Sequence, residues 1–121
     1  VNGITFNEAN LISCLANDYG FDKWISKAID FYAKENDVIV LTSVSGTSPN
    51  IVDAAKFSRE KGLYVVSFSG REDDNPLKLN SDLSFWVNSH SYNIVECLHM
   101  IWMTSAIDLL IGKSVYETNF R

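Results

Sequence analysis

Four hydroxyl side chains, Ser43, Ser45, Thr47 and Ser48, crowd around Gly46 in the stretch LTSVSGTSPN, residues 41–50. An apolar run, VIVLT at residues 38–42, precedes them, and Pro49 follows. Small hydroxyls donate hydrogen bonds without bulk. The first N–H groups of a helix lack intrahelical partners and carry the positive end of the macrodipole. Gly46 permits a left-handed turn and close approach of the backbone to a ligand. Together these parts suit an anion, above all a phosphate. The stretch is not a Walker loop, since no Gly-Lys-Ser/Thr follows, and it is not G-x-G-x-x-G. The same residues also suit an ordinary N-cap and turn.

A second group with chemical capacity lies near the end of the chain. Glu96 and His99 stand three apart, so a helix places them on one face. A carboxylate and an imidazole there can exchange protons or, for Glu96, ligate a metal. They equally suit a hydrogen-bonded structural pair. His90, in NSHSYN, is a further imidazole and reads as a solvated loop residue. No C-x-x-C or Cys/His cluster appears, which argues against a structural zinc site. Cys14 and Cys97 sit among apolar residues and read as buried thiols in a reducing compartment.

These residues must be positioned by strands and helices. Residues 1–6 lean towards a strand and residues 10–17 towards a short helix, broken at Asp18-Tyr19-Gly20. Residues 21–34 carry apolar side chains at helical spacing. VIVLT is continuously apolar, as in a strand covered on both faces. Ser48-Pro49 is a hydroxyl cap followed by proline at the first helical position. That helix ends at Lys61-Gly62. LYVVSF (residues 63–68) and LSFWV (residues 83–87) are further strands, separated by the polar loop GREDDNP. Residues 92–111 form a long helix with a stripe of Ile94, Leu98, Ile101, Trp102, Ser105 and Leu109. Strands alternating with helices imply an α/β fold, three αβα layers around a central parallel sheet. Ligands in such folds sit at the carboxyl ends of the strands, where the serine loop falls.

The chain has 121 residues, which suits a single domain, residues 1–121. Its net charge is −5 and its pI about 4.8, a balance that argues against a nucleic-acid partner. No uninterrupted apolar run reaches the length of a membrane span, and no signal peptide is visible, so a cytoplasmic location without a membrane is expected.

The segment SVSGTSPNIVDAAKFSREKGLYVVSFSG resembles the signature of the sugar isomerase (SIS) domain family, a strand ending in Ser-x-Ser-Gly-x-Ser. ANDYGF (residues 16–21) looks like the Asn-Asp-Phe/Tyr-Gly element of phosphoheptose isomerases. Asp82-Leu83-Ser84 resembles the opening of their last strand, and residues 93–104 their C-terminal helix. The resemblance implies a flavodoxin-like SIS fold lacking its N-terminal helix and first strand. It implies phosphate binding by Ser43, Ser45 and Ser48, with backbone help from Val44 and Gly46. It also implies sugar contacts from Asp18 and from Asn93, where the family has an Asp. A homodimer or homotetramer and a zinc ion are further family expectations.

The chain departs from that family at three positions. Glu96 falls where a Gln is expected, Asn93 where an Asp is expected, and Thr104 where a catalytic or metal-binding His is expected. A threonine cannot act as a base near neutral pH. Two readings follow. One is a phosphosugar-binding aldose–ketose isomerase of the sedoheptulose 7-phosphate type, with Glu96 and His99 as catalytic candidates. The other is a non-catalytic SIS module that senses phosphosugars or assists protein assembly.

Overall fold

The computed structural model describes residues 2–113. Its elements run α1 (Ala9–Tyr19), α2 (Trp24–Tyr32), β1 (Val38–Ser43), α3 (Pro49–Glu60), β2 (Tyr64–Gly70), α4 (Pro76–Leu79), β3 (Leu83–Val87) and α5 (Tyr92–Ile111). The three strands form one parallel sheet in the order β1-β2-β3. Val38 pairs with Tyr64 and Ser43 with Ser69, while Val66 pairs with Leu83 and Gly70 with Val87. The register places the ends of β1 and β2 side by side, which brings the serine loop against Gly70.

One face of the sheet carries the core. Leu41 and Val65 meet Ile25 and Ile29 of α2, Ala54 and Ala55 of α3, and Leu77 of α4. The alanines matter because they let α3 lie close on the sheet. Ser26 Oγ donates to Asp53 Oδ2 at 2.6 Å, and Lys23 pairs with the same carboxylate, so α2 is clipped to α3. That hydrogen bond and charge raise the Lys23 pKa. At the amino end of β2, Asp82 accepts from Val65 N at 2.8 Å and its own N donates to Val65 O, pinning the β2–β3 register.

Among the described residues the other face is covered only by α5, which lies over β2 and β3. Val95 and His99 are its buried residues. Phe68 and Phe85 stack at 4.8 Å beneath Trp102. No described residue covers this face over β1, and Val38 and Val40 are 56% and 53% exposed. The expectation that β1 is covered on both faces is therefore corrected.

Other expectations change as well. Residues 2–6 form no strand. Asp18 and Tyr19 belong to α1, and Gly20, at φ +89°, ends it. Cys14 and Cys97 are exposed, not buried, because each lies on the outer side of its helix. A short helix, α4, starts at Pro76, the last residue of the segment read as loop. The packed stripe of α5 includes Val95, Leu98, His99 and Trp102, whereas Ile94, Ile101 and Leu109 face outward. Periodicity identifies two possible faces on so apolar a helix and does not choose between them. By length and composition alone α5 is apolar enough to cross a membrane, with mean hydropathy 1.6 over its best window. No unbroken apolar run marks it in the sequence, because scattered polar residues interrupt the helix without lowering its average much. Here its first half is docked on the sheet through Val95 and His99.

Candidate functional site

The serine loop leaves the end of β1 and enters α3. Gly46 N donates to both Ser43 Oγ and Ser43 O, each at 3.2 Å. Thr47 donates to Ser45 Oγ from its N at 3.2 Å and from its Oγ1 at 2.9 Å. The Ser43 and Ser48 hydroxyls lie 3.5 Å apart. Ser48 occupies the N-cap position and Pro49 the first helical one, yet the Ser48 side chain makes no capping bond. The amides of Ser45, Ser48 and Asn50 have no protein acceptor among the described residues. The loop thus closes on itself through amide N–H groups donating to serine hydroxyls, while leaving donors unspent at the helix start. Such a group of donors accepts an anion.

Gly46 has φ +65°, the left-handed turn expected of it. Its closest neighbour is protein: a Cβ at this position would lie 2.0 Å from Asn75 Oδ1 and 2.4 Å from Asn75 Cγ. Asn75 is buried and caps α4 by accepting from Lys78 N at 3.0 Å. Its Nδ2 donates to Ser69 Oγ at 3.1 Å and to Glu72 O at 2.8 Å. Gly46 O accepts from Leu77 N at 2.9 Å, and Val44 O accepts from Gly70 N at 2.9 Å. Asn75 therefore joins the serine loop, the end of β2 and α4. Sequence reasoning missed it. The signal was present, since Asn75-Pro76 repeats the cap-then-proline pattern of Ser48-Pro49.

The remaining candidates are placed as follows. His99 is buried, its Nε2 3.2 Å from Ser69 O, its ring between Phe68 and Trp102. Glu96 is exposed one turn away, and no hydrogen bond links the two. Asn93 is exposed in the first turn of α5. Asp18, exposed near the end of α1, accepts from Asn17 at 3.0 Å and more weakly from Cys14. No hydrogen bond joins Asp18 or Asn93 to the serine loop. Thr104 donates its hydroxyl to Met100 O at 2.8 Å and Ile101 O at 3.0 Å, inside its own helix. His90 is an exposed loop residue 3.4 Å from Glu72. No group of three or more metal-ligating side chains converges among the described residues. With His99 held against a backbone carbonyl and Glu96 turned to solvent, this pair does not fit a zinc ion. Two open hollows, of about 260 and 150 Å³, lie at the amino ends of the strands, away from the serine loop.

A family model described as "SIS domain" matches residues 2–70. The chain belongs to the SIS domain family. Its relatives include the phosphoheptose isomerase of Fusobacterium nucleatum, 34% identical over 98 residues that cover 81% of this chain and 50% of that protein. The phosphoheptose isomerase of an Enterobacter strain is 32% identical over 113 residues, covering 93% of this chain and 58% of that protein. The solved structure of a phosphoheptose isomerase from Neisseria gonorrhoeae superposes with a TM-score of 0.82 at 25% identity, covering 88% of this chain and 59% of the other. The chain spans about half the length of the curated relatives it matches.

Proposed function

We propose that this chain binds the phosphate of a phosphosugar and serves a phosphoheptose-isomerase-like aldose–ketose isomerisation of the sedoheptulose 7-phosphate type. The observation that carries this reading is the set of free amides at Ser45, Ser48 and Asn50, grouped with the Ser43, Ser45 and Ser48 hydroxyls at the carboxyl end of β1. The similarity to phosphoheptose isomerases supports the same substrate class.

The reaction moves a proton between C1 and C2 through an enediol, so it needs a base. In this reading Glu96, exposed on α5, is that base. His99 supports the fold instead, since its Nε2 faces the Ser69 carbonyl in a buried aromatic setting. Asp18 and Asn93 are sugar-hydroxyl contacts in this reading. The protein works in the cytoplasm as a homodimer or homotetramer, for which the outer apolar side of α5 is the contact surface.

One observation favours a second reading, a non-catalytic phosphosugar-binding module. Thr104 stands at the expected histidine, and its hydroxyl is spent on its own helix. Isothermal titration with sedoheptulose 7-phosphate and with sedoheptulose, followed by a turnover assay, separates the two. Binding of the phosphorylated sugar alone, with turnover abolished in Glu96→Gln, is the expected result. Binding without turnover selects the module. Equal binding of both sugars, or of neither, overturns the phosphate cradle.

A further inference from the structure

Arg71 directly follows Gly70, whose amide is bonded to the serine loop at Val44 O. Four features set it apart. Its φ is +58°, a left-handed conformation that a long side chain adopts only when its surroundings enforce it. The Arg71 N–H donates to Ser89 O at 3.0 Å, which helps to hold that turn. The guanidinium lies 5.1 Å from the Tyr92 ring centroid, and one of its terminal nitrogens donates to Tyr92 Oη at 2.9 Å. Its Nε is buried with no hydrogen-bond partner, a deficit that calls for a physical explanation.

The surrounding charges sharpen the point. Lys78 is paired with Asp73, and His90 faces Glu72. Asp74 adds a further carboxylate to the same loop. Arg71 has no carboxylate partner among the described residues, although three acidic residues follow it directly. The serine loop, bonded through Val44 O to Gly70 N, thus adjoins an acidic segment that opens on a guanidinium whose only side-chain partner among the described residues is Tyr92. Guanidinium binds phosphate with paired donors, and it stacks on an aromatic ring while doing so.

Resting on the phosphate reading of the serine loop, we infer that Arg71 is the counter-ion for the bound anion, held ready by Tyr92. The loop amides and hydroxyls set the anion's position. Arg71 supplies the charge that offsets Glu72, Asp73 and Asp74.

The test is titration of the full chain with inorganic phosphate and with sedoheptulose 7-phosphate, at low and moderate salt. Arg71→Met is expected to weaken both by roughly tenfold to a hundredfold, the range for a lost charged hydrogen bond. Arg71→Lys, which keeps charge but not the planar fork, is expected to fall between. Lys34→Met makes the same charge change at the opposite end of the sheet and is expected to leave affinity unchanged. Circular dichroism of each variant checks the fold, and Arg71→Lys remains informative if Arg71→Met unfolds. Wild-type affinity in Arg71→Met, or an equal loss in Lys34→Met, overturns the inference while leaving the serine loop intact. Binding of neither probe by the wild type overturns the phosphate reading itself.

Discussion

Replacing Gly46 with alanine tests how the serine loop is built. Two costs add. A non-glycine residue at φ +65° costs about 1–2 kcal/mol in backbone strain. The new methyl also meets Asn75 Oδ1 at 2.0 Å and Asn75 Cβ at 2.9 Å, so the Asn75 side chain has to leave. It then surrenders its bonds to Ser69, Glu72 and Lys78. At about 1 kcal/mol net per bond, that is a further 2–3 kcal/mol. The total, roughly 3–5 kcal/mol, is a large share of the ~5–15 kcal/mol that holds a typical domain folded. Urea unfolding followed by circular dichroism reads it as a fall of roughly 2 M in the midpoint. Gly62→Ala is the control. Gly62 also has a positive φ, +74°, but nothing lies within 4 Å of its added Cβ, so only the strain cost applies. Asn75→Gly combined with Gly46→Ala should cost less than the sum of the two single changes, because the obstructing side chain is gone. A Gly46→Ala loss no larger than that of Gly62→Ala refutes the argument that Asn75 fills the space beneath the loop.

Further expectations concern binding, catalysis and pH. Ser45→Ala and Ser48→Ala should each weaken sedoheptulose 7-phosphate binding by about 1–2 kcal/mol, read by calorimetry; unchanged affinity in both removes the hydroxyls from the site. Thr104→His should raise or create isomerase turnover if that imidazole alone limits the reaction, and an intact fold with no gain in a coupled assay counts against this alignment. Asp30 bonds to Lys61 at 2.9 Å, and that contact, with the Lys61 charge, lowers its pKa below the ordinary 3.8. The pair's small contribution is thus present above pH 3.8 and is lost as pH falls through the depressed value. Lys61→Met should return the Asp30 titration towards 3.8 in carboxyl-detected NMR, and an unmoved titration would mean that Lys61 is not the cause.

How much was legible in the residues depended on whether the deciding contact was local. Ser48-Pro49 and Gly62 mark both ends of α3 because caps and left-handed turns are decided by adjacent residues. VIVLT and LYVVSF announce strands by unbroken apolar runs, although the exposure of Val38 and Val40 cannot be read from a run alone. α4 escapes detection because four residues show no period. Asn75 is recognisable as a cap, but its role beneath Gly46 arises only when β2 brings residues 69 and 75 beside the loop. His99 illustrates the opposite error. Its spacing from Glu96 suggested a pair, yet the helix turns one residue inward to Ser69 and the other to solvent. The SIS relationship was readable because the serine loop, ANDYGF and the strand after Gly62 are each continuous in sequence.

The bond between Gly46 O and Leu77 N has a consequence for modular engineering. The serine loop and its support are discontinuous in sequence: residues 43–50 form the loop, and residues 70–78 pack beneath it. Grafting LTSVSGTSPN onto the strand end of another parallel sheet would transfer the donors without the support that sets their spacing. A portable unit has to include both segments, with Asn75 in place and β2 beside β1 to carry them in register.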